Sequence, residues 1–279
     1  MFLKLKAFFL LSFISVAISC GKGNGSGGTN PPPPANTFTN PLLPSGPDPW
    51  IIKKDNYYYY TNTLGNRIAL WRTTKVSDLK NALIQNIWTA PAVGANSKNV
   101  WAPELLYDDI GKQFIIIWAS TVPFRFEKGI EDENNNHRMY YTTTKDFKTF
   151  TETKLFLDPK FSVIDAVIVK TGKDKYVLVL KDNTRPERDN KCAFANNPLG
   201  PWQNISQPFT QKFTEGPAVA KVKDGYLIYY DVYQDKKFGA SFTKDFKTFS
   251  KADSLISIPE GHKHGTISVT KSSVLKKIK

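Results

Sequence analysis

TTTKDFKTFTET, residues 142–153, returns as SFTKDFKTFSKA, residues 241–252. TTKVSDLKN, from Thr73, is a weaker third copy. A stretch repeated at long range marks a supersecondary unit used more than once. Each copy follows a hairpin signature: a short apolar run, a polar turn, then an aromatic-rich run. The first hairpin is DPWII, KKDN and YYYYTN, from Asp48. The second is WAPELLY, DDIGKQ and FIIIWAS, from Trp101. DAVIVK, TGKD and KYVLVLKDN, from Asp165, make a third; EGPAVAKV, KDG and YLIYYDVY, from Glu215, make a fourth. Their turns carry Asp-Asn, Ile-Gly, Thr-Gly and Asp-Gly, residues that tolerate positive φ.

Hairpin plus repeat gives four antiparallel strands. Unit starts fall roughly 50–60 residues apart, as the blades of a β-propeller do. No long amphipathic helix competes with this reading. A β-sandwich is the other all-β solution, but it requires no self-similarity. Four full units are evident. After them only HGTISVTKSS, from His264, reads as a strand. A fifth blade therefore needs help from N-terminal residues near Pro41–Leu43.

In a propeller the first strand of each blade lines the central axis. Residues that open the units converge at one end of the funnel. Here they are Asp48, Trp101, Asp165, Glu215 and His264. Three acids in such slots, each beside Pro, Ala or Gly, point to a site rather than to isolated turn residues.

DPW, VWAPE, VIDAVIV, TEGPAV and HGT, in that order, resemble the blade-leading motifs of glycoside hydrolase family 43. The resemblance runs from about Pro41 to Val269. It implies a five-bladed β-propeller, whose fifth blade is short in this chain, and single-displacement, inverting hydrolysis of glycosidic bonds. It implies Asp48 as general base, Glu215 as general acid, and Asp165 as the third acid that raises the pKa of Glu215 and orients it. An inverting site needs one protonated carboxyl and one ionised carboxylate, roughly 6.5–9.5 Å apart. Blades on different sides of a funnel can supply that gap. The acid must keep its proton near neutral pH, and a neighbouring negative charge helps it do so.

First strands leave the active face and second strands return to it, so the loop after each second strand borders the funnel. Those loops are TNTLGNR, STVPFRFEKGIEDENNNHR, KDNTRPERDNK and DVYQDKK. Trp118, Phe124 and Phe126 are candidate sugar-facing surfaces; Arg185 and Arg188 are candidate donors to hydroxyls. Trp101 is either a sugar platform or a core residue. His264 is either structural or, as the resemblance implies, close to a hydrated calcium on the axis. No direct metal ligand set is evident, because calcium prefers oxygen, and no cofactor is required. His137 and His262 carry no comparable signal.

Residues 1–19 read as a secretory signal: Lys4 and Lys6, an apolar run from Ala7 to Ile18, then Ser19. Cys20 follows directly, as in a bacterial lipoprotein, and is the expected lipidation site. Residues 20–39, rich in Gly, Ser, Asn and Pro, read as a tether, and residues 40–279 as the catalytic domain. The expected location is extracytoplasmic, in the periplasm or at the cell surface, with the lipid anchor as the only membrane attachment. Beyond Cys20 only Cys192 remains, so the domain has no disulfide and no cysteine zinc site. The formal net charge is +13, but the lysines are scattered beside Asp and Asn in turns. That is a solvated surface rather than a nucleic-acid stripe. The expected partner is a plant cell-wall polysaccharide, met by a monomer. The function expected is exo α-L-arabinofuranosidase or β-xylosidase. The alternatives are an endo-arabinanase and a propeller that only binds glycans.

Overall fold

The computed structural model describes residues 42–89, 93–94, 96–258 and 263–266. The signal, the tether, Cys20, His262 and most of the strand expected after His264 lie outside the described residues. What is described is all-β and antiparallel, in four separate sheets.

The first sheet holds β1 (Trp50–Lys54), β2 (Tyr57–Thr61), β3 (Arg67–Thr73) and β4 (Leu83–Thr89). The second holds β5 (Trp101–Asp108), β6 (Gln113–Thr121), β7 (His137–Thr144) and β8 (Lys154–Leu157). The third has only β9 (Val163–Gly172), β10 (Lys175–Asp182) and β11 (Asp189–Ala195). The fourth has β12 (Thr214–Val222), β13 (Gly225–Val232), β14 (Lys237–Thr243) and β15 (Phe249–Lys251). Each sheet keeps chain order from axis to rim, as propeller blades do.

Two expectations need correction. Among the described residues there are four blades, not five. The third blade is not a full four-stranded unit: where its fourth strand belongs, Phe194 and Gln203 make a single bridge. No copy of the KDFKTF repeat follows its hairpin, so the sequence there lacks the turn that brings an outer strand back.

The repeat has a local cause. Asp146 Oδ1 accepts the N–H groups of Lys148 and Thr149 at 2.8 and 2.9 Å, and Asp245 Oδ1 accepts those of Lys247 and Thr248, both at 2.8 Å. Thr144 and Thr243 hydroxyls accept the N–H of Phe147 and Phe246. Both phenylalanines sit at positive φ, +56° and +57°. Both are buried. A bulky residue adopts that backbone only where surroundings over-determine it. Phe147 packs on Phe114 and Tyr59, and Phe246 packs on Tyr226. The weak copy in the first blade forms a 3₁₀ turn over Val76–Asn81, with buried Leu79 in place of the aromatic ring.

Continuous apolar strands follow from burial on both faces. On β6, Ile116 and Trp118 face the first blade, whereas Ile115, Ile117 and Ala119 face the third. On β10, Leu178 and Leu180 face the second blade, and Val177 and Val179 the fourth. Leu42 and Leu43 pack with Tyr60, Ala69 and Trp71, the first-blade side chains not used against the second. Cys192 lies buried between the third and fourth blades, and burial pushes its thiol pKa up to about 12.

Candidate active site

One backbone device recurs at the axial end of the inner strands. Opposite Trp118, Leu180 and Tyr230, β5, β9 and β12 each place two residues against one: Ala102-Pro103, Asp165-Ala166 and Gly216-Pro217. The first residue of each pair is left-handed, with φ of +43°, +50° and +55°. Asp48-Pro49 and His264-Gly265 repeat the pattern at +51° and +45°. Such bulges re-aim side chains and gather at functional sites. Asp48, Asp165 and His264 therefore share one structural position. Trp101 and Glu215 lie one residue before it, so the five leaders are not in strictly matching slots.

The bulges bring Asp48, Asp165, Glu215 and His264 together. His264 bridges the outer two acids: Nδ1 contacts Asp48 Oδ1, and Nε2 lies 3.1 Å from Glu215 Oε1. The second Glu215 oxygen receives Lys181 Nζ at 2.6 Å. Asp165 is buried and accepts the Gly216 N–H at 3.0 Å through Oδ2. Thr63 ties the first two blades at this level, since its hydroxyl accepts Ala102 N–H at 2.7 Å and bonds to Asp48. Thr266 donates to the Pro49 carbonyl, which fastens the His264 segment to the first blade.

Electrostatics divides the acids. Burial works to raise Glu215, but bonds from His264 and Lys181, with the Lys181 charge, bring it down to about 2. Burial opposes Asp48 likewise, and His264 and Thr63 hold it below the ordinary range. Asp165 is raised by burial first, helped by Asp48 and Glu215 and resisted by His264 and Lys181. Burial would lower His264, but Asp48, Glu215 and Asp165 raise it to about 11, so the imidazole is cationic at neutral pH. Among Asp48, Asp165 and Glu215 the acid with the raised pKa is Asp165, not Glu215.

Two participants carry no signal in the sequence reading. Glu104, two residues beyond Ala102, lines the same small cavity as Asp48, Asp165 and His264. It is buried, one oxygen lacks a hydrogen-bond partner, and burial, then Asp165 and Asp48, raise its pKa well above normal. Equivalent positions on the other inner strands hold Trp50, Val167 and Ala218, so an acid in an apolar slot was the available clue. Lys181 is the second; it is buried at the end of β10, with its ammonium 5.0 Å from the Tyr233 ring. A lysine ending an apolar strand reads as solvated until the partner opposite is known.

Trp101 is half-buried against the core between the second and third blades and stacks on His137 with centroids 4.5 Å apart. His137, given no role above, is fully buried, bonded to Asn99 and the Asn135 carbonyl, and held neutral by burial with a pKa of about 4. Trp118 needs correction: it is 0% exposed, inside the core between the first two blades, and cannot meet a sugar. Phe126 is half-buried in the same cluster, 4.9 Å from the Arg138 guanidinium. Phe124 is 86% exposed on the long second-blade loop. Arg185 is spent on that loop, pairing with buried Glu131 at 3.3 Å. Arg188 is half-buried with φ of +51°.

Oxygen or nitrogen atoms of Asp165, Glu215 and His264 lie within 4.8 Å of one another. Their donors are engaged, however. Both imidazole nitrogens face carboxylates, and Glu215 already holds Lys181. This arrangement does not fit a directly ligated calcium, which takes six to eight oxygens.

Several known proteins are similar to this chain. The first 102-residue match, 39% identical, is to the extracellular exo-α-(1→5)-L-arabinofuranosidase of Streptomyces avermitilis, over 36% of this chain and 21% of that protein. Another, 39% identical over 87 residues, is to α-L-arabinofuranosidase 43 of Humicola insolens, over 30% of this chain and 18% of that protein. The matches thus span only about a fifth of these relatives. An α-L-arabinofuranosidase from Lactobacillus brevis superposes with a TM-score of 0.62 at 24% identity, over 77% of this chain and 75% of that one. A thermostable family-43 glycoside hydrolase superposes at 0.65 with 16% identity, over 84% and 83%. Both show the same propeller fold. Residues 48–274 match the family 43-related group described as a probable glycosyl hydrolase domain. That match spans most of the chain and every site residue named above, and the chain belongs to this glycoside hydrolase family.

Proposed function

We propose that the chain is an inverting glycosidase that releases arabinose from plant polysaccharides, as an exo α-L-arabinofuranosidase. The observation that carries the reading is the convergence of Asp48, Asp165 and Glu215 on one axial site through a repeated left-handed bulge. Asp48, ionised, activates water. Glu215 protonates the leaving oxygen, and Asp165 fixes the Gly216 backbone beside it. The entering glycan parts His264 and Lys181 from Glu215, and loss of those two cations lets the acid take up its proton. Trp101, braced by His137, offers a sugar platform, and Phe124 and Arg188 are the loop residues proposed to contact sugar. The arabinofuranosidase names of the relatives favour arabinose over xylose.

The remaining features complete the proposal. The signal, the lipidated Cys20 and the tether place a monomeric domain outside the cytoplasm. A hydrated structural calcium near the axis takes no part in the proton steps. The test is a panel of aryl α-L-arabinofuranosides and β-xylosides, run beside linear arabinan with product analysis. Free arabinose from the arabinofuranosides is the expected result. Binding without release of any pentose would leave a glycan-binding propeller instead.

A further inference from the structure

We infer that the far face of the propeller carries a second sugar site, built for a carboxylated oligosaccharide. A cleft of about 770 Å³ opens between the third and fourth blades. Its walls come from the β9–β10 turn, the segment after β11 and the repeated turn after β14. Along β9, Asp165 stands at the axial site and Thr171 at the cleft. Six strand steps separate them, about 20 Å. The cleft is therefore distinct from the funnel, and a ligand in it leaves the catalytic acids free.

The lining is cationic, with a single carboxylate among its charges. Lys175, Lys244 and Lys247 are exposed, and none makes an ion pair among the described residues. The single carboxylate in the wall, Asp245, is turned into its own loop, where Oδ1 accepts Lys247 and Thr248 N–H. Three lysines against one aspartate leave a charge of +2 (3 − 1). Lys170 and Lys191, by contrast, sit on the neighbouring acids Asp109 and Asp182. Ammonium groups without an ion-pair partner around a concavity favour an anion, and the carboxylate of a uronic acid is an anion that plant polysaccharides carry.

The rest of the wall suits a saccharide. The side chains of Asn196, Gln203 and Asn204 are exposed and make no hydrogen bond within the described protein. Amides both donate and accept, as paired hydroxyls require. Phe194 is half-buried in the wall and Tyr226 forms part of the floor, giving apolar surface for sugar C–H groups. The volume is that of a small-ligand pocket, which ranges over about 300–1,000 Å³. A membrane or a nucleic acid would need a flat or continuous basic surface, not a cleft walled by amides.

Calorimetric titration of the full chain with a short oligogalacturonate tests this directly. Binding is expected, weakened by added salt. Binding of the methyl-esterified oligomer or of a neutral arabino-oligosaccharide at this cleft is not. The Lys175→Ala/Lys244→Ala/Lys247→Ala variant should bind about tenfold more weakly or worse, for three rim charges lost. Its hydrolysis of an aryl arabinofuranoside and its melting curve should match those of the parent. Gln203→Ala/Asn204→Ala, which alters no charge, should also weaken binding and decides the matter should the lysine variant misfold. Four results overturn the inference: no binding by the parent, equal binding of the esterified oligomer, equal binding of polyglutamate, or full binding by the variants.

Discussion

Replacing Lys181 with Met probes how the resting site is held. Lys181 Nζ lies 2.6 Å from Glu215 Oε2, with side-chain exposures of 2% and 23%. At an effective dielectric of about 20, charges this close attract by about 6 kcal/mol before desolvation is subtracted. Breaking a fully buried pair costs about 3–5 kcal/mol. Glu215 retains His264 and some solvent, so a loss of about 2–3 kcal/mol at neutral pH is expected. The pKa of Glu215 should rise from its value of about 2. The sign of the pH effect follows. A depressed carboxyl stabilises the fold above its unfolded pKa, and that stability fades as pH falls from 4.5 toward about 2. Lys181→Met should flatten this acid limb. Carbon-13 NMR titration of Glu215, with urea melts from pH 2 to 7, reads both effects. An unchanged Glu215 titration in a folded variant would refute the ion-pair argument.

Further outcomes are expected elsewhere. His264→Gln should remove a stability loss that the parent shows as pH rises from 6.5 toward about 11, because a raised histidine stabilises only while protonated; melting curves above neutral pH check this. Phe246→Ala should cost about 3–5 kcal/mol in denaturant melts, since Phe246 is 1% exposed against Tyr226, and a change below about 1 kcal/mol would show that the repeat does not anchor its blade. Prolonged chelation should leave at least part of the turnover; complete, calcium-reversible loss would show a catalytic ion.

Much of this site was legible because its cause is local. The left-handed bulge needs a small or rigid second residue, and DP, AP, DA, GP and HG display that need in the sequence. Asp48, Asp165 and Glu215 could be found on that signal. Residues whose roles come from another blade were hidden. Lys181 matters only because Glu215 lies opposite, and Glu104 only because it points where Asp48 and Asp165 already stand. Trp118 misled for a related reason: in a strand buried on both faces, no alternation separates funnel from core. The third unit shows a complete hairpin in sequence but no KDFKTF turn, and that missing turn is why it lacks a fourth strand.

In the proposed mechanism Asp48 and Glu215 act together in a single displacement. Proton NMR of the first sugar released from an α-L-arabinofuranoside tests it most directly. Inversion should give β-L-arabinofuranose before mutarotation, and Asp48→Asn should abolish its appearance even from aryl substrates. Release of the α anomer, or an Asp48→Asn protein with normal rates, would contradict the mechanism.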